Sequence, residues 1–294
     1  MSGRALRKLL NKERIVVAPG VFSPSVAKLA ERAGFEAVYF SGAGFSSLLA
    51  LPDLGVTTLT EVARATHEIA SRTKVPIIVD ADAGFGEALN VIRAVDELRA
   101  AGAAAVQIED QIVPKKCGHL EGKELVEAEE MVKKIISAKG AAGGDPLIVA
   151  RTDAVAVEGL DSAIARARYY QRAGADVIFP EALRTRNDFV EFRRKVRTPL
   201  MANMTEFGKT PYFTVAEFER MGYNIVIFPV TAFRAMMKTV EETFTELKQK
   251  GSQKGILKKL MTREEFYSLI GYKDYEEADR MALEAAKRLK QAPT

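Results

Sequence analysis

Eight short apolar runs, rich in β-branched residues, alternate with helical patterns along the chain, and this alternation constrains the fold more than any other feature. The runs lie at residues 15–18, 37–42, 76–82, 105–110, 147–153, 177–181, 199–206 and 225–230. The segments between them carry apolar residues every three or four positions, as amphipathic helices do. Strands that alternate with helices in this way are typical of βα units and a parallel sheet.

Eight strands and eight crossovers within 294 residues predict a (β/α)8 barrel of the TIM type. The glycine-rich dinucleotide fingerprint that would favour a doubly wound sheet is absent from the sequence. We predict a single barrel domain over residues 1–294, with an opening helix near 3–12 and extra C-terminal helices from about residue 233. Glycines expected to end helices precede the next strand at Gly34, Gly102, Gly174 and Gly222.

Most of the eight runs end in a polar side chain. These residues are Ser41, Asp80, Asp82, Glu109, Arg151, Asp153, Glu181, Asn203 and Thr205. In a barrel the strand ends meet on the face where active sites of this architecture lie. Residues two apart on a strand point the same way, so Tyr39 is expected to join Ser41 and Asp80 to join Asp82. The sequence therefore predicts a polar site at this end of the barrel.

The paired carboxylates of Asp80 and Asp82, in VDADAGFG, suit a hard divalent cation or acid–base chemistry. Magnesium fits better than zinc, because neither histidine stands at ligand spacing with a cysteine pair. Asp53 and Glu109 are candidates for holding the water ligands of the same ion, and Asp110 is a weaker one. The alternative is that both aspartates cap the turn that follows.

A small, multiply anionic ligand is indicated by the remaining strand-end residues. Arg151 could neutralise Asp80 or Glu109, but with a metal offsetting those charges it is free to grip a carboxylate through two hydrogen bonds. Glu181, Asn203 and Thr205 supply donors and acceptors. An apolar barrel core would not tolerate such groups without partners.

The single cysteine of the chain, Cys117, lies in the motif KKCGH. Flanked by Lys115, Lys116 and His119, its thiol is expected to ionise more readily than a free one. The alternative is a small buried hydrophobe. The motif falls in a loop of residues 111–122, longer than a usual βα connection, which we interpret as a candidate lid.

Composition excludes several classes of function. The net charge of +4 comes from 43 basic and 39 acidic residues spread along the chain, so nucleic-acid binding is not indicated. No apolar run approaches the length of about 20 residues that a membrane span needs. With no secretion signal and no cysteine pair, a cytoplasmic location is expected. The helical C-terminal segment has apolar faces, which favour a homo-oligomer, with a tetramer preferred and helix exchange between subunits as one arrangement.

Seven motifs in order carry a family resemblance over residues 14–237 and into TREEFY. They are SGAGFSSLLALPDLGVTTL, VDADAGFG, IEDQIVPKKCGH, ARTDAVAVEGLDSAIARA, GADVIFPEA, MANMTEFGKTP and FPVTAFRAM. In these the chain resembles the isocitrate lyase and phosphoenolpyruvate mutase superfamily, and most closely its methylisocitrate lyases. KKCGH separates the lyase branch from the mutases and hydrolases of the superfamily, which lack the cysteine.

The resemblance implies cleavage of a carbon–carbon bond in a 2-hydroxy tricarboxylate, dependent on Mg²⁺, with Mn²⁺ as the alternative ion. For 2-methylisocitrate the products would be pyruvate and succinate. It assigns Asp80 and Asp82 to the metal, with Asp53 and Glu109 in its water shell, and Cys117 as the catalytic acid. The implied substrate contacts are Ser41, Gly42, Ala43, Gly118, His119, Arg151, Glu181, Asn203, Thr205, Arg234 and Arg263. Ala43 is a departure, since relatives often carry glycine there.

Two protons must move in such a reaction. Tyr39 is our choice for the base that takes the hydroxyl proton, with a metal-bound hydroxide or Glu181 as rivals, and Cys117 on a closing lid suits protonation of the carbanion. Phe179, Ile227 and Pro229 are candidates for lining a methyl pocket. Isocitrate cleavage, another superfamily reaction such as oxaloacetate decarboxylation, and a noncatalytic carboxylate-binding barrel are the alternatives.

Overall fold

All eight predicted strands are present in a single sheet of the computed structural model, which describes residues 3–291. They are β1 (Val16–Val21), β2 (Val38–Phe40), β3 (Ile77–Asp80), β4 (Ala105–Glu109), β5 (Leu147–Thr152), β6 (Val177–Pro180), β7 (Met201–Asn203) and β8 (Ile225–Phe228). Neighbouring strands are parallel, in the order β6-β5-β4-β3-β2-β1-β8-β7. A parallel bridge from Ile178 to Leu200 joins β6 to the start of β7. The predicted (β/α)8 barrel is therefore confirmed.

Helices follow the strands as the alternation predicted. They are α1 (Gly3–Leu10), α2 (Pro24–Arg32), α3 (Gly42–Leu48), α4 (Leu59–Ala70), α5 (Ala88–Ala100), α6 (Ala128–Ala142), α7 (Ala154–Val157), α8 (Leu160–Arg172), α9 (Arg186–Lys195), α10 (Val215–Arg220) and α11 (Thr231–Lys250). Thr58, Thr185 and Thr214 begin α4, α9 and α10 with reciprocal capping boxes. Gly34, one of the four expected helix ends, has a φ of +90°, and the other three are also positive.

The barrel has an inner and an outer apolar layer because side chains alternate along each strand. Tyr39, Ile78 and Phe179 belong to the inner layer, together with Leu6 of α1. The outer layer packs strand residues such as Phe40 against the surrounding helices. This alternation decides which strand residues face the barrel interior and can reach a site at its end.

Several strand boundaries differ from the sequence prediction by one to three residues, among them the ends of β2 and β7. Residues 199–206 were predicted as one strand, but β7 ends at Asn203, which leaves Thr205 in the following loop. Gly42 was predicted to end a strand, whereas it begins α3, with Ser41 as the capping residue accepting from the Gly44 amide at 3.1 Å. In both cases a polar residue leaves the sheet earlier than the apolar pattern suggests, because a turn or a helix satisfies its backbone.

The chain divides into two compact units, one up to Met236 and one from Met237 onward, and α11 begins in the first and ends in the second. The second unit contains a 3₁₀-helix (Lys254–Lys259), α12 (Arg263–Ile270) and α13 (Tyr272–Gln291). Tyr267 and Tyr272 stack there with ring centroids 4.5 Å apart. The predicted single domain stays a prediction. No helix within residues 3–291 combines the length and apolar character of a membrane span.

Candidate active site

A cavity of about 100 Å³ lies where the strand ends of the barrel meet. Most predicted site residues line it, namely Tyr39, Ser41, Ala43, Asp53, Asp80, Cys117, Gly118, His119, Arg151, Glu181, Asn203, Thr205 and Arg234. Gly42, Asp82 and Glu109 do not line it themselves but contact residues that do, namely Asp80, Lys115 and Arg151. Arg263 belongs to the C-terminal unit, so its role in substrate binding stays a prediction.

Asp80, the last residue of β3, is held by donors on three sides. The Gly42 amide donates to its Oδ2 at 3.3 Å, and Gln107 Nε2 and the Asp82 amide donate to its Oδ1 at 3.0 and 3.2 Å. A Cβ on residue 42 would lie 3.0 Å from Asp80 Oδ2 and 3.4 Å from Asp82 Oδ1, so both carboxylates approach this glycine. Burial, together with the nearby charge of Asp82, raises the pKa of Asp80 to about 6.

Lys115 brings a buried positive charge into this acidic cluster. Its Nζ forms an ion pair with Asp53 and lies 2.9 Å from Asp82 Oδ1. Burial alone would lower the pKa of Lys115, but the charges of Asp82, Glu109 and Asp53 raise it well above its usual value. Lys115 was expected to favour ionisation of the neighbouring Cys117 thiol. In the structure it instead ties the cysteine loop to the carboxylates.

Glu109 offers the strongest sign that this cluster suits a cation. Its side chain is buried, and neither carboxylate oxygen has a hydrogen-bond partner among the described residues. Arg151 Nη1 approaches Oε2 to 3.3 Å. Burial raises the pKa of Glu109 well above its usual value. Burying a carboxylate whose oxygens accept no hydrogen bond costs free energy that the Arg151 ion pair offsets only in part, so the donor chemistry fits a hard cation or its bound waters.

Two neighbouring carboxylates, rather than a full set of protein ligands, are available to a divalent cation at this site. Within residues 3–291, no three acidic, histidine or cysteine side chains come close enough to form such a cage. Mg²⁺ usually takes one or two carboxylates and keeps several waters. Asp80 with Asp82, backed by Asp53 and Glu109, provides that kind of donor set.

Arg151, on β5, is held in a fixed orientation by carboxylates. Asp153 accepts from its Nε at 2.9 Å and its Nη2 at 3.1 Å, and Glu181 Oε2 lies 3.4 Å from Nη2. The guanidinium also lies over the Phe179 ring, 5.3 Å from the centroid. Its carboxylate partners are thus Asp153, Glu109 and Glu181 rather than Asp80. One planar cation in fixed orientation remains on the cavity wall for an anionic ligand.

Cys117 lines the cavity, but the prediction that its thiol ionises readily is wrong. Burial raises the pKa of the thiol, the backbone of His119 lowers it, and the charge of Glu181 raises it further. The flanking cations do not compensate, because Lys115 is paired with carboxylates and Lys116 Nζ donates to the Gly122 carbonyl at 2.6 Å. The thiol is therefore held protonated, which is the state an acid requires.

His119 and Glu181 form a buried pair beside the cysteine. The Lys209 amide donates to His119 Nδ1 at 3.0 Å, so Nδ1 is the acceptor and Nε2, 3.2 Å from Glu181 Oε1, carries the proton. Asn203 Nδ2 donates to both Glu181 oxygens, at 3.3 and 3.2 Å. Burial alone would raise the pKa of Glu181, but Arg151 and these donors lower it to about 2.

Tyr39 belongs to the inner layer of the barrel, lines the cavity and begins a short chain of hydrogen bonds. Its hydroxyl donates to Gln107 Oε1 at 2.9 Å, and Gln107 Nε2 donates in turn to Asp80. Burial and the charge of Asp80 raise the pKa of Tyr39 well above its usual value. The series connects the predicted base to the predicted metal carboxylate.

Sequence reasoning missed Gln107 and Lys123. Gln107 stands two residues before Glu109 on β4, so the alternation rule could have placed it on the same face. Lys123 Nζ is buried, where it donates to the Gly118 carbonyl and, at 3.1 Å, to Asp153 Oδ1. No pattern in the loop sequence distinguishes this lysine from the exposed ones.

Comparisons with known proteins agree with this geometry. The family model described as phosphoenolpyruvate phosphomutase matches residues 6–248. A 2-methylisocitrate lyase of Aeropyrum pernix is 60% identical over 287 residues, covering 98% of this chain and 93% of the relative. A 2-methylisocitrate lyase of Bacillus subtilis is 49% identical, with coverages of 95% and 92%.

Solved structures give the same assignment. A 2,3-dimethylmalate lyase, described as a member of the phosphoenolpyruvate mutase and isocitrate lyase superfamily, superposes with a TM-score of 0.89 at 35% identity, covering 95% of each chain. A phosphonopyruvate hydrolase in complex with oxalate and Mg²⁺ superposes with a TM-score of 0.87 at 32% identity, covering 96% of this chain and 99% of that one. The chain therefore belongs to the isocitrate lyase and phosphoenolpyruvate mutase superfamily, and within it to the family of the 2-methylisocitrate lyases.

Proposed function

We propose that this protein is a carbon–carbon lyase that cleaves 2-methylisocitrate into pyruvate and succinate. The observation that carries the proposal is the meeting of a protonated thiol, an arginine and a carboxylate, Cys117, Arg151 and Asp80, on the wall of one cavity. A thiol acid, a carboxylate-binding cation and a cation-binding carboxylate are what cleavage of a hydroxylated tricarboxylate requires. The relatives named 2-methylisocitrate lyase support the choice of substrate.

The substrate carboxylates would be held by the donors that line the cavity. Arg151 presents its guanidinium, and Arg234 reaches the cavity from the start of α11. Ser41, Asn203 and Thr205 supply neutral hydrogen-bonding groups, and Gly42 and Ala43 begin α3 at the same end of the barrel. Such a mixture of cationic and neutral donors suits a ligand with several carboxylates and one hydroxyl.

Asp80 and Asp82 would hold a Mg²⁺ ion, with Asp53 and Glu109 orienting its waters and Mn²⁺ as the alternative metal. The Mg²⁺ found in the related phosphonopyruvate hydrolase structure supports this assignment. When bound, the ion supplies the positive charge that stabilises a developing alkoxide and the keto acid formed from it. The rest of the reaction is assigned to groups of the chain itself.

Cleavage breaks the bond between the carbinol carbon and its neighbour. The hydroxyl loses its proton to a base and its oxygen becomes the ketone oxygen of pyruvate, while the bonding electrons pass to the carbon that becomes part of succinate. Cys117 donates its thiol proton to that carbon, and the product is complete. Because burial keeps the thiol protonated, the acid is in its active state before substrate arrives.

Two oxygens on the cavity wall compete for the hydroxyl proton, those of Tyr39 and Glu181. Glu181, with a pKa lowered to about 2, is a weak base. We assign the proton to Tyr39, whose hydroxyl is joined through Gln107 to Asp80. Burial is the larger obstacle to ionisation of the phenol, and a positive charge held by Asp80 would offset the carboxylate charge that adds to it.

The preference for a methylated substrate is supported by the apolar part of the wall. Phe179, Ile227 and Pro229 all line the cavity. Their surfaces would contact a methyl group favourably, and isocitrate would leave that space unfilled. A single methyl is worth about 1–3 kcal/mol of discrimination.

Incubation of the protein with 2-methylisocitrate or isocitrate, with and without Mg²⁺, tests the proposal. We expect pyruvate and succinate from 2-methylisocitrate, a lower kcat/KM for glyoxylate release from isocitrate, and no product from a Cys117→Ala control. Faster glyoxylate release would identify an isocitrate lyase. No product from either substrate, with Mg²⁺ present, would refute the proposal and favour the alternative of a noncatalytic carboxylate-binding barrel.

We also propose that the chain forms a homo-oligomer, with a tetramer favoured and helix exchange between subunits as one arrangement. Apolar side chains of the C-terminal helices, including Phe266, Tyr275, Met281 and Leu283, are exposed in the single chain. Burying them would stabilise an assembly. Light scattering after size-exclusion chromatography measures the mass, and a monomer at micromolar concentration would refute this proposal.

A further inference from the structure

Lys123 is a buried lysine that the proposed chemistry does not use. Its side chain is 1% exposed, and Lys123 is not among the described residues that line the cavity. A lysine is rarely buried unless its charge is paired. Here the ammonium has two oxygen partners, the carbonyl of Gly118 and the Asp153 carboxylate. The cost of burying this charge is offset by contacts with one backbone position and one side chain.

The carbonyl that Lys123 contacts belongs to the residue next to the thiol. Gly118 packs so closely on the Arg151–Glu181 pair that a Cβ there would lie 2.3 Å from Glu181 Cγ and 2.6 Å from Arg151 Nη2. The turn is closed by the Leu120 amide, which donates to the Cys117 carbonyl at 2.9 Å. A donor on the Gly118 carbonyl therefore fixes the Gly118–His119 peptide, one residue after Cys117.

The second partner of Lys123 connects this turn to the barrel. Asp153 is buried and accepts from Arg151 through Nε and Nη2 as well as from Lys123. Its carboxylate is thus shared by the substrate-facing arginine of β5 and the lysine of the loop. On the other side of the thiol, Gln111 holds the Lys116 backbone with two hydrogen bonds of 2.9 Å.

We infer that Lys123 is a positioning residue, which fixes the Gly118–His119 peptide beside Cys117 and against Arg151 by joining the Gly118 carbonyl to Asp153. The inference rests on the proposed function, because it gives Lys123 the task of orienting the proposed acid. It adds Lys123 to the residues that orient the thiol. Loss of the ammonium would free the turn on the Gly118 side while leaving the Gln111 clamp in place.

Because Cys117 is the only cysteine, alkylation reports on this turn without any assay of catalysis. Lys123→Met removes the ammonium and keeps most of the side-chain length. Lys116→Met is the matched control in the same loop, since Lys116 contacts the Gly122 carbonyl from an exposed position. We expect iodoacetamide to modify native Lys123→Met about tenfold faster than wild type or the control. We also expect kcat to fall by about two orders of magnitude while KM changes less.

The outcomes separate a positioning role from a purely structural one. If Lys123→Met lowers the melting temperature but leaves the alkylation rate and kcat at wild-type values, the inference is overturned. If that variant does not fold, the wild-type protein is acetylated under limiting reagent, and peptide mass spectrometry measures how fast each lysine reacts. Lys123 must then react much more slowly than Lys116, and equal labelling would overturn the inference. Failure of the wild type to cleave either tricarboxylate would refute the proposed function. The alkylation and acetylation results would still test the position of Lys123.

Discussion

The backbone of Gly118 lies against the Glu181 side chain so closely that a Cβ on residue 118 would stand 2.3 Å from Glu181 Cγ. Real Cβ atoms do not approach that closely, so Gly118→Ala must displace the cysteine turn or the Arg151–Glu181 pair. We expect kcat to fall by about 100-fold, as for a misplacement of about 1 Å near reacting groups. Steady-state kinetics with 2-methylisocitrate measure it.

Gly140 provides the control for this substitution. It lies within α6, and an added Cβ would meet nothing within 4 Å. Gly140→Ala should keep full activity and raise the free energy of unfolding by about 0.5–1 kcal/mol, because alanine is the better helix former. If Gly118→Ala is as active as Gly140→Ala, the turn does not need the close approach that the structure shows.

Cys117 is assigned to proton delivery, so its replacement should slow turnover without unfolding the protein. We expect Cys117→Ser to lose at least about two orders of magnitude in kcat, in line with typical general-acid contributions. The serine hydroxyl is a much weaker acid than the thiol, which lowers kcat. Because serine has nearly the same shape as cysteine, KM should change little. Near-normal kcat, with an unchanged melting temperature, would remove the thiol from the mechanism.

The pH dependence of alkylation tests the raised pKa of Cys117. Burial of the thiol favours its neutral form, so the native pKa lies above that of the unfolded chain. Burial of the neutral thiol therefore makes a pH-dependent contribution to the free energy of unfolding. That contribution is full below the pKa of the unfolded chain and is lost as the pH rises through the pKa of the folded protein. We expect the rate of iodoacetamide modification to reach its midpoint at a higher pH in native protein than in guanidinium. A lower native midpoint would restore the activated thiolate that the sequence suggested.

The sequence predicted the barrel because every strand carries a local signal. Barrel topology also predicted that the strand ends meet, and Asp80 at the end of β3 accepts from the Gly42 amide just after β2. The charge pairing could not be read in the same way. Lys115 was expected to act on the neighbouring Cys117, but the loop fold points its Nζ at Asp53 and Asp82. Which cation faces which anion depends on tertiary packing, and sequence neighbours are a poor guide to it.

Removal of the divalent ion tests the carboxylate cluster. We expect chelation to abolish cleavage and Mg²⁺ to restore it, and Mg²⁺ to raise the melting temperature of wild type by a few degrees, because a ligand that binds only the native state stabilises it. Asp80→Asn should lose that shift. Asp96→Asn, which removes an exposed carboxylate paired with Arg99 on α5, should keep it. Full activity in excess chelator would exclude the metal.

Ile227 tests the methyl pocket, because its side chain is buried in the barrel and lines the cavity. Ile227→Phe would occupy the space proposed for the substrate methyl group. We expect kcat/KM for 2-methylisocitrate to fall about 10- to 100-fold relative to that for isocitrate, which is the range one methyl group allows. Pyruvate and glyoxylate release, assayed in parallel with the melting temperature, give the ratio and a check on folding. An equal loss for both substrates in a folded variant would mean that Ile227 shapes the cavity generally, and the methyl group would have to be sought beside Phe179 or Pro229.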